Sequence, residues 1–266
     1  MRPETNAAID AVWQGLTLAG EAAASVATIA KVGRDVVTAT DLAVEDHLRA
    51  GLMREFAYPV IGEERGGDVP GDGSPYWLID PICGTRNFAS GSPLYCVNLA
   101  LVESGEVTVA AVGDPSRGEV AYAERGSGAW SLKDGTLTSL TVAEESRTIV
   151  VEEGKSSGPA RERAARYFAS VIRADRWDLR SLGSTLAMAY LAAGRVSAYV
   201  VFQVTDVHVA AGSLLVGEAG GVLTDLDGEP WSLQSKSLLF AATPGLQAAL
   251  LQLARTSDGL GALDRV

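Results

Sequence analysis

Between residues 77 and 88 the chain runs Trp77-Leu-Ile-Asp-Pro-Ile-Cys-Gly-Thr-Arg-Asn-Phe88. An apolar run that begins at Tyr76 ends in an acid, Asp80, and Pro81 follows at once. A strand that ends this way sets a carboxylate at the edge of a sheet. Gly84-Thr85 then opens a helix, whose first N–H groups lack intrahelical partners and can receive an anion. Taken singly, Asp80 before Pro81 is equally a turn former, and Cys83 is equally a small buried hydrophobe. The rest of the chain decides between these readings.

Upstream, residues 7–30 are alanine-rich, with Ile9, Val12, Trp13 and Leu16 at helical spacing, which predicts one long helix. A second helix starts near Asp41, where Thr38-Ala-Thr-Asp41 has the form of a capping box and Leu42, Val44, Leu48 and Leu52 follow. Residues 62–74 are rich in glycine, charge and proline and form a loop that carries Glu63-Glu64. Downstream, apolar runs at 94–103, 107–113 and 119–123 predict successive antiparallel strands, with shorter ones at 138–142 and 148–152. Helices are expected over 156–170, 184–193, 207–219 and 244–254, the third stopping at Gly220-Gly221. Strands are expected at 197–202, 222–224 and 237–242, and a frayed tail from Thr256. Such a mixture points to an α+β or layered α/β sandwich. Polarity rises twice over residues 143–158, which divides the chain into an N-terminal subdomain, 1–150, and a C-terminal one, 151–266.

Composition narrows the function. With 266 residues, 47% apolar and 21% charged, the chain can bury a large core without staples. Its 33 acids against 22 bases, a net charge of −11, argue against non-specific binding to nucleic acid or an anionic membrane and suit a divalent-cation site. Two cysteines and two histidines exclude a disulfide framework and multi-finger zinc modules. The five tryptophans are scattered packing residues and form no stacking platform for single strands. No apolar stretch reaches the ~18 residues of a membrane span, and the N-terminus lacks a signal-peptide layout, so a cytoplasmic location is expected.

Four stretches in order, Asp35-Val-Val-Thr-Ala-Thr-Asp41, Ile61-Gly-Glu-Glu64, Trp77 to Phe88 and Val209-Ala-Ala-Gly-Ser-Leu-Leu-Val-Gly-Glu-Ala-Gly-Gly221, resemble the inositol monophosphatase family of magnesium-dependent phosphatases. Arg180-Ser-Leu-Gly-Ser184 and residues 194–199 also fit, so that the resemblance extends over residues 7–245. It implies a layered αβαβα sandwich of the fructose-1,6-bisphosphatase type, a homodimer, a small phosphorylated metabolite as substrate, and Mg²⁺. It further implies a first metal held by Glu63, Asp80 and the Ile82 carbonyl and a water activated by Asp41 and Thr85; Gly84-Thr85 is the place for a phosphate, and Arg86, one residue on, either contacts an anionic substrate or forms a salt bridge with a nearby acid. Arg180 and Ser181 match a stretch that faces substrate in relatives, and Lys31 lies about one residue from a basic position of the family. The chemistry is apt, since phosphate monoesters resist hydrolysis, divalent cations activate water and neutralise the leaving oxygen, and Mg²⁺ takes oxygen ligands.

Two positions depart from the family, and both belong to its second metal. The loop that normally reads Asp-Pro-Ile-Asp-Gly-Thr has Cys83 as its fourth residue, and the aspartate of the Trp-Asp motif is His208, preceded by Val207. Asp206 is a possible substitute, although two residues along a helix is about 200° of rotation. The family's inositol-contacting glutamate falls near Val201, so a preference for inositol is not expected. Cys83, His208 and Asp80 make a donor set suited to Zn²⁺ or Fe²⁺ rather than Mg²⁺.

Three consequences are open. Phosphatase chemistry persists, with an exchanged second metal or with His208 as general acid. Alternatively hydrolysis is lost and a phosphate-binding homologue remains. In the third, the Cys83 thiolate, stabilised at a helix start beside His208, carries different chemistry, although its spacing to Arg86 is too short for the loop of cysteine phosphatases. Cys96, in an apolar strand, reads as core; His47, among Glu45, Asp46 and Arg49, reads as a solvated position.

Overall fold

Thr38 begins the second helix as its sequence predicts. Its hydroxyl accepts from the Asp41 amide, and the Asp41 carboxylate accepts in return from the Thr38 amide, a closed capping box that satisfies two donors at the helix start. The computed structural model describes residues 1–23, 28–30, 36–155 and 157–260. Lys31 and Asp35 lie outside the described residues.

The chain runs through α1 (Pro3–Ala22), β1 (Thr28–Ala30), β2 (Val36–Thr38), α2 (Ala39–Glu55), β3 (Val60–Gly62), β4 (Tyr76–Cys83) and the short α3 (Thr85–Ala89). The meander β5 (Cys96–Glu103), β6 (Glu106–Asp114), β7 (Glu119–Glu124), β8 (Ala129–Lys133) and β9 (Thr136–Leu140) follows. The C-terminal part contains β10 (Thr148–Glu152), α4 (Gly158–Ala174), β11 (Asp178–Arg180), α5 (Leu186–Ala192) and β12 (Ala198–Val201). It closes with α6 (Asp206–Glu218), β13 (Val222–Thr224), β14 (Leu238–Ala241) and α7 (Pro244–Leu260).

Strands β3 to β9 make one seven-stranded sheet in chain order, and β11-β10-β12-β14-β13 make a second of five. Three apolar cores define the layers. On one face of the larger sheet, Val12 and Leu16 of α1 and Leu48 of α2 pack on Trp77, Leu99 and Val109. Between the sheets, Met188 of α5 and Leu215 of α6 meet Val112 on one side and Tyr199 and Phe240 on the other. Outside the smaller sheet, Tyr167 of α4 and Leu250 of α7 cover Ile149 and Leu239. This is the expected αβαβα sandwich. The sheets change over between Leu140 and Thr148, and residue 150 lies within β10.

Local expectations were corrected in three places. The first helix ends at Ala22, not at residue 30, because Thr28 and Ile29 are β-branched and pair in β1 with Thr38 and Val37. Strands β8 and β11 were not anticipated: Ala-Trp-Ser-Leu-Lys has only two strongly apolar residues, and β11 is three residues long with both ends exposed. The final helix runs through Thr256, where a frayed tail was expected, because Ser257 is buried and its carbonyl accepts from Arg166 Nε at 3.1 Å.

One irregularity places the site. Asp80 pairs with Asn98 and Cys83 with Cys96, so three steps along β4 match two along β5. Residues three apart on a regular strand face opposite sides. The extra residue, next to a proline that cannot donate to the ladder, turns Asp80 and Cys83 to the same side.

Candidate active site and metal centre

Glu63 follows directly from the end of β3, and a buried carboxylate fixes that turn. Glu45 of α2 accepts from the amides of Glu64 (2.7 Å) and Arg65 (3.0 Å) and from Arg49 Nη2 (2.9 Å). A β-carbon at Gly62 would sit 1.9 Å from Glu45 Oε1, so only glycine fits there. Thus held, Glu63 accepts from Lys155 Nζ at 3.1 Å, and its Oε1 lies 3.6 Å from His208 Nε2.

Asp80 is buried at the end of the regular part of β4. Its Oδ2 faces His208 Nδ1 at 2.8 Å, and the Asn98 amide lies 3.5 Å away. Asp80 Oδ1 is buried without a hydrogen-bond partner. A buried carboxylate oxygen left unmatched is costly, and a cation would resolve it. Because α6 starts at Asp206, His208 lies in its first turn and reaches Asp80 on β4. Asp206 accepts from the Val207 amide at 2.9 Å and is not in the group around Asp80.

On the other side, Thr85 Oγ1 lies 3.1 Å from Asp41 Oδ1 and 3.1 Å from the Ile82 carbonyl. The capping box holds the second oxygen of Asp41, so that the first is aimed at Thr85. Cys83 Sγ accepts from Thr185 Oγ1 at 2.8 Å and from the Thr185 amide at 3.4 Å, while Ser184 Oγ donates to the Cys83 carbonyl at 2.7 Å. A cavity of about 570 Å³ lies here, lined among others by Glu63, Cys83, Thr85, Arg86, Lys155 and His208.

Arg180 and Ser181 do not line this cavity. Arg180 is exposed; Ser181 donates to the buried Glu152 at 2.6 Å, and the same carboxylate accepts from the amides of Leu182 (2.6 Å) and Gly183 (2.8 Å). Glu152 therefore fixes the segment that brings Thr185 to Cys83.

Burial sets the electrostatics. It pushes the Asp41 carboxyl above its ordinary range, against the opposing hydrogen bonds from Thr38 and Thr85, which suits a proton acceptor. Glu63 is also raised, by burial and then by Asp80. Burial alone would lower His208, but the Asp80 and Glu63 carboxylates outweigh it and hold the imidazole above its usual value. Contact with Cys96, burial and the neighbouring Asp80 push the Cys83 thiol well above its ordinary range, which runs against the third of the open consequences, a Cys83 thiolate that carries different chemistry.

Lys155, Thr185, Asn98, Glu45 and Glu152 escaped the sequence reading. Asn98 had a visible signal, as a lone amide inside the apolar run Leu94 to Leu101. Glu45 lies on the apolar face of α2 with Val44 and Leu48.

The residues fit a cation in one respect and misfit the family's metal pair in another. Glu63, the unmatched oxygen of Asp80 and the Ile82 carbonyl are hard oxygen donors suited to Mg²⁺. Cys83 and His208 are not. Asp80, Cys83 and His208 each offer a donor atom, all within 4.8 Å of one another. No helix among the described residues is long and apolar enough to cross a membrane.

Residues 1–258 match the profile of the Inositol monophosphatase family. The inositol-1-monophosphatase ImpA of Mycolicibacterium smegmatis is 36% identical over 236 residues, covering 86% of this chain and 83% of that protein. The Nus factor SuhB of Xylella fastidiosa is 35% identical over 202 residues, covering 75% and 72%. Among solved structures, the Thermotoga maritima IMPase superposes with a TM-score of 0.83 at 28% identity, covering 94% of this chain and 96% of that one. With the layered sandwich, the Glu63 and Asp80 carboxylates and the Asp41–Thr85 pair in place, the chain belongs to the inositol monophosphatase family and, with it, to the phosphoric monoester hydrolases.

Proposed function

We propose that the chain hydrolyses a small phosphate monoester, an inositol-phosphate-like, sugar or nucleotide phosphate, in the cavity between its two sheets. The single observation that carries this reading is the hydrogen-bonded run from Asp41 through Thr85 to the Ile82 carbonyl, set beside Glu63 and Asp80. Asp41 accepts the proton of the attacking water through Thr85. The amides of Gly84 and Thr85, with Arg86, receive the phosphoryl oxygens. Glu63, Asp80 and the Ile82 carbonyl hold a divalent cation, Mg²⁺ in the first instance, which when bound supplies charge neutralisation and a more acidic water. Lys155, bonded to Glu63, adds positive charge to the cavity wall. His208 is better placed as a ligand than as a general acid, because each ring nitrogen faces a carboxylate. Val201 lines the cavity, so its wall is apolar where the family contacts inositol. A homodimer in the cytoplasm belongs to the same proposal and rests on the family resemblance.

Phosphate release from a panel of sugar, inositol and nucleotide phosphates with Mg²⁺ tests the reading. Asp41→Asn is expected to lower the rate by about 10²–10⁴-fold, and absence of release across the panel overturns it. One observation favours a second reading, a non-hydrolytic phosphate-binding homologue: Cys83 and His208 stand where the family has acids. Hydrolysis that appears only in Cys83→Asp/His208→Asp would establish it.

A further inference from the structure

We infer that Asp80, Cys83 and His208 form a site for a single borderline transition-metal ion, Zn²⁺ or Fe²⁺, which replaces the second magnesium of the family. The inference deepens the proposed function and rests on it only for the presence of a cation beside Asp80.

Four observations converge on this site. First, the extra residue in β4 turns Asp80 and Cys83 to one side, and the first turn of α6 delivers His208 to the same place, so the three donors lie within 4.8 Å. Ligand atoms around a tetrahedral zinc are separated by about 3.3–3.6 Å, given its bond lengths to nitrogen and sulfur, and small side-chain rotations close that difference. Second, Asp80 Oδ1 is buried with no hydrogen-bond partner, which leaves an oxygen of this carboxylate for a cation.

Third, the sulfur is supported as metal-bound thiolates are. Asn98 Nδ2 donates to Thr185 Oγ1 at 2.9 Å, which leaves the hydroxyl proton of Thr185 for Cys83 Sγ at 2.8 Å, and the Thr185 amide adds a second donor. Two hydrogen bonds onto one sulfur match the outer shell that orients a ligand and steadies its charge. Fourth, sulfur, imidazole and carboxylate together select zinc or iron over magnesium.

The test uses the full chain, stripped with a chelator and titrated with Co²⁺, then with Zn²⁺ in competition. The wild type is expected to show a thiolate-to-cobalt charge-transfer band that saturates at about one ion per Cys83 and that zinc abolishes. Cys83→Ser must lose the band, while Cys96→Ser must keep it. Thr185→Val, which removes only an outer-shell hydroxyl, is expected to weaken cobalt affinity by about 10–100-fold, and provides a second measurement if Cys83→Ser does not fold. Absence of the band in the wild type, or an unchanged band in Cys83→Ser, overturns the inference. Asp41→Asn must bind cobalt normally, which separates the two claims. A cobalt band without phosphate release defeats only the phosphatase reading, and magnesium-dependent release without a cobalt band defeats only this one.

Discussion

Gly62 and Glu45 should behave as one unit, and a double-mutant cycle measures it. Gly62 has no positive φ, so alanine costs nothing in backbone conformation, and the whole penalty comes from contact. The added methyl would sit 1.9 Å from Oε1, 2.2 Å from Cδ and 2.6 Å from Oε2 of Glu45. That carboxylate cannot retreat without giving up the amides of Glu64 and Arg65 and the guanidinium of Arg49. Removing one partner of a buried ionic cluster costs about 3–5 kcal/mol, so Glu45→Ala is expected in that range. Gly62→Ala, which expels the same carboxylate, should cost at least about 3 kcal/mol on the same grounds.

In Gly62→Ala/Glu45→Ala the obstacle and the carboxylate are both absent, so the double variant should be no less stable than Glu45→Ala alone. The coupling energy is then about −3 kcal/mol, far outside the ~0.5 kcal/mol within which independent sites add. Urea unfolding at constant m-value reads it. As a cross-check, each kcal/mol should move the thermal midpoint by about 2–4 °C in a chain of this size. If the two costs simply sum, Glu45 does not fix the Gly62 turn and the account of how Glu63 is positioned is wrong.

Two further outcomes follow from the packing. A methyl at Gly212 would lie 2.4 Å from Cε and 2.6 Å from Cβ of Met188, where α6 crosses α5, so Gly212→Ala should destabilise by about 1–3 kcal/mol through overpacking; an unchanged urea midpoint would show that the helices are free to separate there. Burial alone would raise the Glu119 carboxyl, but Arg195, bonded at 2.5 and 3.1 Å, and Arg117 hold it below its ordinary range. A depressed folded value means that this stability is complete above the unfolded carboxyl value of about 4.3 and is lost as pH falls through the lower, folded one. Arg195→Met should therefore flatten the acid-side decline of stability followed from about pH 6 to about pH 3, and an identical decline in both proteins would remove the pair from the account.

Much of the molecule was legible because its signals are local. The capping box at Thr38, the strand over residues 148–152 and the Gly220-Gly221 stop need only neighbouring residues, and each is found where the sequence places it. The pairing of Cys83 with His208 was legible only through the family pattern, which aligns residues far apart in the chain. Thr185, Lys155 and Glu152 were not, because their roles come from contacts with partners some 30 to 100 residues away. The bulge in β4 escaped too. Pro81 marks where the ladder weakens, but which side Cys83 then faces depends on the register of β5.

The donors of the proposed metal centre come from both ends of synthesis. A nascent chain that has emerged as far as β9 holds Asp41, Glu63, Asp80, Cys83 and Thr85, yet Thr185 and His208 are still to be made. Domains condense from the N-terminus outward as translation proceeds, so for that interval the half-built pocket exposes oxygen and sulfur donors to whatever ions the surroundings contain. Synthesis of α6, which carries His208, ends that interval and completes the proposed donor set.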